Sequence, residues 1–124
     1  MIYTDKTTLE DVSDLISEHF KLTPYQIFKT SRKKNIIAAR QVFCYIAHEN
    51  TKFTLQDIAY FITIKGFRTN PYNHATIIHA KKNVKGYMSQ YPKDYNLIKD
   101  IEFKLKNKYN STLIVSDVNL LCSL

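Results

Sequence analysis

Only two glycines and three prolines occur in 124 residues. That scarcity weighs against a turn-rich β-fold, whose reversals need residues with special backbone freedom, and favours an all-α chain. Two cysteines are too few for a disulfide framework, and Cys44 and Cys122 fit no metal spacing. Both read as reduced thiols of a cytoplasmic protein. No apolar run approaches the roughly 20 residues that a membrane-spanning helix requires. The opening, MIYTDKTTLEDV, lacks a charged-then-apolar signal pattern. With Gly66 and Gly86 as the sole glycines, no GxxxxGK(S/T) loop is present to cradle a nucleotide. His19, His48, His74 and His79 do not stand with cysteines or carboxylates at zinc or nucleophile spacings. Neither an enzyme nor a cofactor is expected. There is no internal repeat and no low-complexity linker, so residues 1–124 read as a single domain.

The most informative absence is acid: no Asp or Glu lies between Asp57 and Asp94. Lysine and arginine number 18 against 11 acids, a net charge of +7. Such an excess suits a polyanionic partner, although its distribution says more than its total. Within the acid-free stretch, Asn73 is a natural N-cap. Ile77, Val84 and Met88 follow at core spacing, while Lys81, Lys82 and Lys85 lean to another face. A positive helix N-terminus reinforced by lysines is a place for phosphates, and its side chains can reach base edges. The pattern predicts a recognition helix of a DNA-binding module, ending near Ser89–Tyr91 before Pro92.

The remaining elements are expected as follows. Residues 1–6 read as a loose arm. Thr7 or Thr8, with Glu10 or Asp11 three residues on, starts a helix whose stripe is Leu9, Val12, Leu15, Ile16 and Phe20. Its other face is acidic. Thr23-Pro24 starts a short helix anchored by Tyr25, Ile27 and Phe28. The run KTSRKK, with Lys29, Arg32, Lys33 and Lys34, then reads as a basic loop or as an ordinary solvated face. Lys33 to Glu49 carries the strongest helical pattern, with a wide apolar face that marks a central buried helix. In its middle, Arg40 fits either a core-edge ion pair or a DNA contact. Thr54, with Asp57 three on, caps a helix that buries Leu55, Ile58, Ala59, Phe61 and Ile62.

Helix, connection and the Asn73 helix together make a helix-turn-helix plan. The connection, Thr63 to Tyr72, far exceeds the usual turn of about 3–4 residues. It holds Lys65, Phe67 and Arg68, and FITIKGF has strand propensity. It reads as a loop on the sugar-phosphate backbone or as a tolerated insertion. A last helix from Asp94 places Ile98, Ile101 and Leu105 at core spacing. The helical domain is expected over 7–107. The tail, 108–124, fits a strand, a helix or a dimer contact.

Several short matches fall in order along this chain. SRKKNIIAARQVFCYIAHENTKFTLQDIA, followed by NHATIIHAKKNV, resembles the C-terminal DNA-binding domain of the bacterial replication initiator DnaA. That family has a basic loop, an Arg-Gln pair in a long helix, and a signature helix opening Asp-His-Thr-Thr and continuing to His-Ala. Here Arg40, Gln41, Leu55, Ile58, His74, Thr76, His79 and Ala80 match, and the likeness spans roughly Leu9 to Leu105. It implies an all-α bundle of about five to six helices with a Trp-repressor-like helix-turn-helix. It also implies double-stranded DNA as partner, with Arg32 in the minor groove. Lys34, Gln41, His74 and Thr76 would hold phosphates, and Asn73 and Ala75 would face base edges. Lys33, Arg68, Lys81 and Lys82 join this candidate set as neighbouring cations and, for Arg68, as part of the connection. Independently, Arg suits a narrow groove, Asn can pair with adenine, and an Ala methyl can pack on a thymine methyl.

The chain departs from the family where readout matters. Asn70-Pro71-Tyr72-Asn73-His74 stands in place of Gly-Gly-Arg-Asp-His, and Ala75 replaces the first Thr. A different base preference is therefore expected, and no ATP hydrolysis. The expected role is a small regulator or replication-associated factor, of a phage or mobile element in particular. The alternative is a protein-interaction module that binds or blocks host replication proteins. A DNA-binding module this small often needs a homodimer or a second module to bind tightly, so a second copy or a replication protein is the further partner expected. Packing accounts for most aromatics, so single-stranded nucleic acid is the weaker partner.

Overall fold

The computed structural model describes residues 7–122, with side chains described for 7–107. The arm expected over residues 1–6 lies outside the described residues, as do the side chains of the tail, Cys122 included. Six helices follow one another: α1 (Leu9–Phe20), α2 (Pro24–Phe28), α3 (Lys34–Asn50), α4 (Leu55–Lys65), α5 (His74–Gln90) and α6 (Pro92–Cys122).

Three of the starts are reciprocal capping boxes, which satisfy helix amides that have no partner one turn back. Thr8 pairs with Asp11, Thr23 with Gln26 and Thr54 with Asp57. In the box opening α4, the Asp57 amide donates to Thr54 Oγ1 at 3.1 Å, and the Thr54 amide donates to Asp57 Oδ2 at 3.0 Å.

Helix α3 is the axle. Val42 through Ala47 are buried without interruption, because α1, α2, α4, α5 and α6 all pack around them. Phe28 of α2, Phe43 of α3 and Phe61 of α4 meet at the centre of one layer. Phe28 sits edge-on to Phe43 at 4.7 Å and to Phe61 at 5.5 Å, while Phe43 and Phe61 stack. Such pairs contribute about 0.5–1.5 kcal/mol beyond the area they bury. Cys44 is enclosed, and burial pushes its thiol up to about 12, so it behaves as a small apolar residue.

Two expectations about the connections are corrected. The FITIKGF stretch is not extended: α4 runs through Thr63 and Ile64 to Lys65. Thr63 Oγ1 donates back to the Ala59 carbonyl at 2.7 Å, and burial of Ile58 and Ile62 outweighs β propensity. The connection is therefore residues 66–73. The last helix begins two residues earlier than Asp94, with Pro92 at its first position, where a missing amide costs nothing. Its backbone continues as helix across most of the tail.

Candidate nucleic-acid interface

The short helix α2 ends in carbonyls with no helical partner, and the two inward-facing arginines collect them. Arg40 Nε donates to the Ile27 carbonyl at 2.9 Å and its terminal nitrogen to the Lys29 carbonyl at 2.6 Å. Arg68 Nε donates to the Phe28 carbonyl between them at 2.8 Å. Three successive carbonyls are thus held by cations at the negative end of a helix, a favourable placement. Arg40 is buried, and its partners are carbonyls rather than the carboxylate that the core-edge ion-pair reading supposed.

Gly66 closes the same junction. A Cβ there would stand 2.2 Å from the Phe28 oxygen and 2.5 Å from its carbonyl carbon. Its φ is −89°, so the glycine serves close approach and not a left-handed turn. Tyr72 completes the packing. Its ring lies under the Arg68 guanidinium at 4.7 Å, and its amide donates to Thr63 Oγ1 at 2.9 Å. Burial pushes the Tyr72 hydroxyl up to about 12, so it stays neutral beside both arginines. Burial and then the Arg40 charge pull Arg68 below its ordinary value.

This clamp fixes two exposed features against each other. The first is the loop between α2 and α3 with the first residue of α3, where Arg32, Lys33 and Lys34 are exposed. The second is the start of α5. Asn73 has an extended backbone, and its Oδ1 accepts the Ala75 amide at 2.7 Å. The cap uses one lone pair and leaves the Nδ2 amide hydrogens as donors. His74, Ala75 and Thr76 are exposed, and the first turn holds no acid. Acids usually gather at such ends, so its partial positive charge is open to an outside anion.

The other candidate residues fall elsewhere. Lys82 is exposed on α5. Lys81 is tied to α3: it lies 3.1 Å from Glu49 and 2.6 Å from His48 Nδ1. Gln41 is half-buried and lines a cleft with Phe20, Met88 and Leu97, between α1, α3, α5 and α6. Arg68 faces inward, as described. The sequence reading missed Gly66, Tyr72 and the positioning role of Arg40. A lone arginine within an apolar helical face, and a lone glycine at a helix end, were the available signals. Among the described residues, no helix is long and apolar enough to cross a membrane.

Residues 9–84, from the start of α1 to well into α5, match the family model described as bacterial dnaA protein helix-turn-helix. Chromosomal replication initiator protein DnaA of Bacteroides thetaiotaomicron is 33% identical over 105 residues, which are 85% of this chain and 21% of the relative. The same protein of Bacteroides fragilis is 37% identical over 83 residues, covering 67% and 16%. That of Nautilia profundicola is 35% identical over 101 residues, covering 82% and 21%. The chain spans about a fifth or less of the length of these relatives. The match covers every element of the clamp and both exposed features, and the chain belongs to the bacterial DnaA helix-turn-helix family.

Proposed function

We propose that this chain binds double-stranded DNA with a sequence preference, placing the N-terminus of α5 in the major groove and the 29–33 loop in the adjacent minor groove. The observation that carries this reading is the clamp. The buried Arg40 and the half-buried Arg68 hold an exposed cationic loop and an acid-free helix start in one unit. Arg32 is the minor-groove residue, because a guanidinium suits a narrow, electronegative groove. Lys33, Lys34 and Lys82 neutralise phosphates, and the His74 and Thr76 side chains at the helix start hydrogen-bond to phosphate oxygens. Asn73 and Ala75 face base edges. Gln41, Arg68 and Lys81 are left out of the contact set, since each is turned toward protein.

Selection from a randomised duplex pool at two salt concentrations tests this. A motif should be enriched and should survive the higher salt. Four cationic contacts release counterions, so log affinity should fall against log salt with a slope of about −3 to −4. Retention without enrichment would leave backbone binding only. Asn73→Asp sharpens the base assignment. Aspartate caps a helix as well as asparagine does, so the fold should hold. It exchanges a donor for an acceptor, so the enriched motif should shift toward cytosine, whose amino group donates in the major groove. An unchanged motif would remove Asn73 from readout. Service as a small regulator or replication-associated factor, in a phage or mobile element in particular, belongs to the same proposal.

One observation favours a second reading, a module that binds or blocks a replication protein. Leu9, Phe53, Tyr60, Phe61 and Ile64 line an open, mostly apolar groove of about 430 Å³ beside α4. Binding of purified full-length DnaA by an Arg32→Ala variant, and its loss on Tyr60→Glu, would support it.

A further inference from the structure

Helix α4 ends in an unusual way. Phe67 donates its amide to the Ile64 carbonyl at 3.2 Å, and Arg68 donates its amide to Thr63 at 3.0 Å. This is the paired closure in which the residue just past the cap turns left-handed, a position glycine usually fills. Here the glycine stands one residue earlier, where close approach to Phe28 demands it. Phe67 takes the left-handed turn instead, with φ of 49°. An aromatic residue in that conformation is strained.

The strain gains no burial. Phe67 is 79% exposed, the most exposed large apolar residue among those described. Among the described residues its ring pairs with that of the half-exposed Tyr25, edge-on at 5.6 Å, and Lys29 lies over the Tyr25 ring at 5.7 Å. Tyr25 precedes the cationic loop, and Gly66 touches the backbone where that loop begins. The Phe67 ring is therefore held on the same unit as the loop, joined through Tyr25 to Lys29, the loop's first cation.

Resting on the duplex-binding reading above, we propose that Phe67, braced by Tyr25, is an apolar wedge that enters a base step of the duplex beside the 29–33 loop. Apolar side chains flanked by cations part-unstack base steps from the minor-groove side, at a cost the protein's other contacts repay. A strained, solvent-exposed ring next to a loop assigned to that groove fits this role.

The test compares one short synthetic duplex, fully paired, with the same duplex carrying a central mismatch. A mismatched step is already loosened, so a wedge favours it. The wild-type chain should bind the mismatched duplex more tightly by roughly tenfold, the order expected of one stacking contact. Phe67→Asn should abolish that preference while keeping the salt slope on paired DNA. Asparagine tolerates the left-handed turn, so its thermal midpoint should hold or rise. Phe67→Leu, apolar but without the ring, should keep part of the preference. A wild-type chain that binds both duplexes equally, or a Phe67→Asn variant that keeps the preference, overturns the wedge and leaves duplex binding standing. A wild-type chain that binds neither duplex at low salt removes both readings.

Discussion

Two groups of cations meet at the end of α2 and do opposite things. Arg40 and Arg68 point inward, take backbone carbonyls, and hold α2 against the end of α4. Arg32, Lys33 and Lys34 point outward with their charges in water. Net charge counts both groups alike. An inward cation is fixed by several bonds and is lost to any outside anion. An outward one adds little to the fold, since exposed charges gain little from pairing in water, yet it is free for phosphate. The lesson is that the outward group is the one an outside anion can reach, while the inward group fixes where the loop sits.

The strongest way to break this division is at Gly66. Gly66→Ala drives a methyl into the Phe28 carbonyl, and backbone cannot swing aside as a flexible side chain would. We expect a loss of about 3 kcal/mol or more in denaturant unfolding, with DNA affinity falling alongside. An unaltered midpoint would mean that α2 and α4 are not clamped as described.

Arg40→Ala and Arg32→Ala form the matched pair. Removing Arg40 strands the Ile27 and Lys29 carbonyls and should cost about 2–3 kcal/mol of stability. It should also weaken DNA binding, because the loop loses its anchor. Removing Arg32 should leave stability within about 0.5 kcal/mol, as for most exposed positions. DNA affinity should still fall by about 1–3 kcal/mol, the range for an arginine in a groove. If both variants lost stability equally, or if Arg32→Ala bound DNA normally, the inward–outward distinction would fail.

Much of the outward surface was legible before the structure, and the clamp was not. Caps announce themselves locally: Thr8 with Asp11, Thr54 with Asp57, and Asn73 at the start of α5 all obey short spacings. The wide apolar face of α3 likewise marks it as central. The clamp has no local period. Arg40 reaches 13 residues back to Ile27, and Arg68 reaches 40 back to Phe28, to groups that every residue carries. A bond to a backbone carbonyl leaves no trace in the identity of its partner. The end of α4 was misjudged for a related reason. Its β-branched residues weigh against helix locally, and only their burial against α2, α3 and α5 reverses that.

Lys81 is a third kind of cation and offers the smallest effect. It sits on α5 near Lys82, and periodicity alone does not separate them. The structure does, because Glu49 and His48 of α3 occupy Lys81 while Lys82 is exposed. Lys82→Ala should reduce the salt slope of DNA binding by about 1, and Lys81→Ala should leave it unchanged. Lys81 should report instead in the pH dependence of stability. Burial and then the Lys81 charge hold His48 below its ordinary value of 6.5. The unfolded chain therefore takes up this proton first, and the contribution of neutral His48 is whole above pH 6.5 and declines below it. Burial alone would raise the Glu49 carboxyl, but the Lys81 hydrogen bond and the Lys81 and Lys85 charges hold it below 4.5. Its contribution is whole above pH 4.5 and is lost as the pH falls further. Both groups are partly exposed, so each step should move the thermal midpoint by only about a degree or two. His48→Asn should remove the first step and Glu49→Gln the second, with DNA binding at neutral pH unaffected in either. A change in the salt slope on Lys81→Ala would instead place Lys81 with the outward group, because a lysine held by α3 neutralises no phosphate and so releases no counterion.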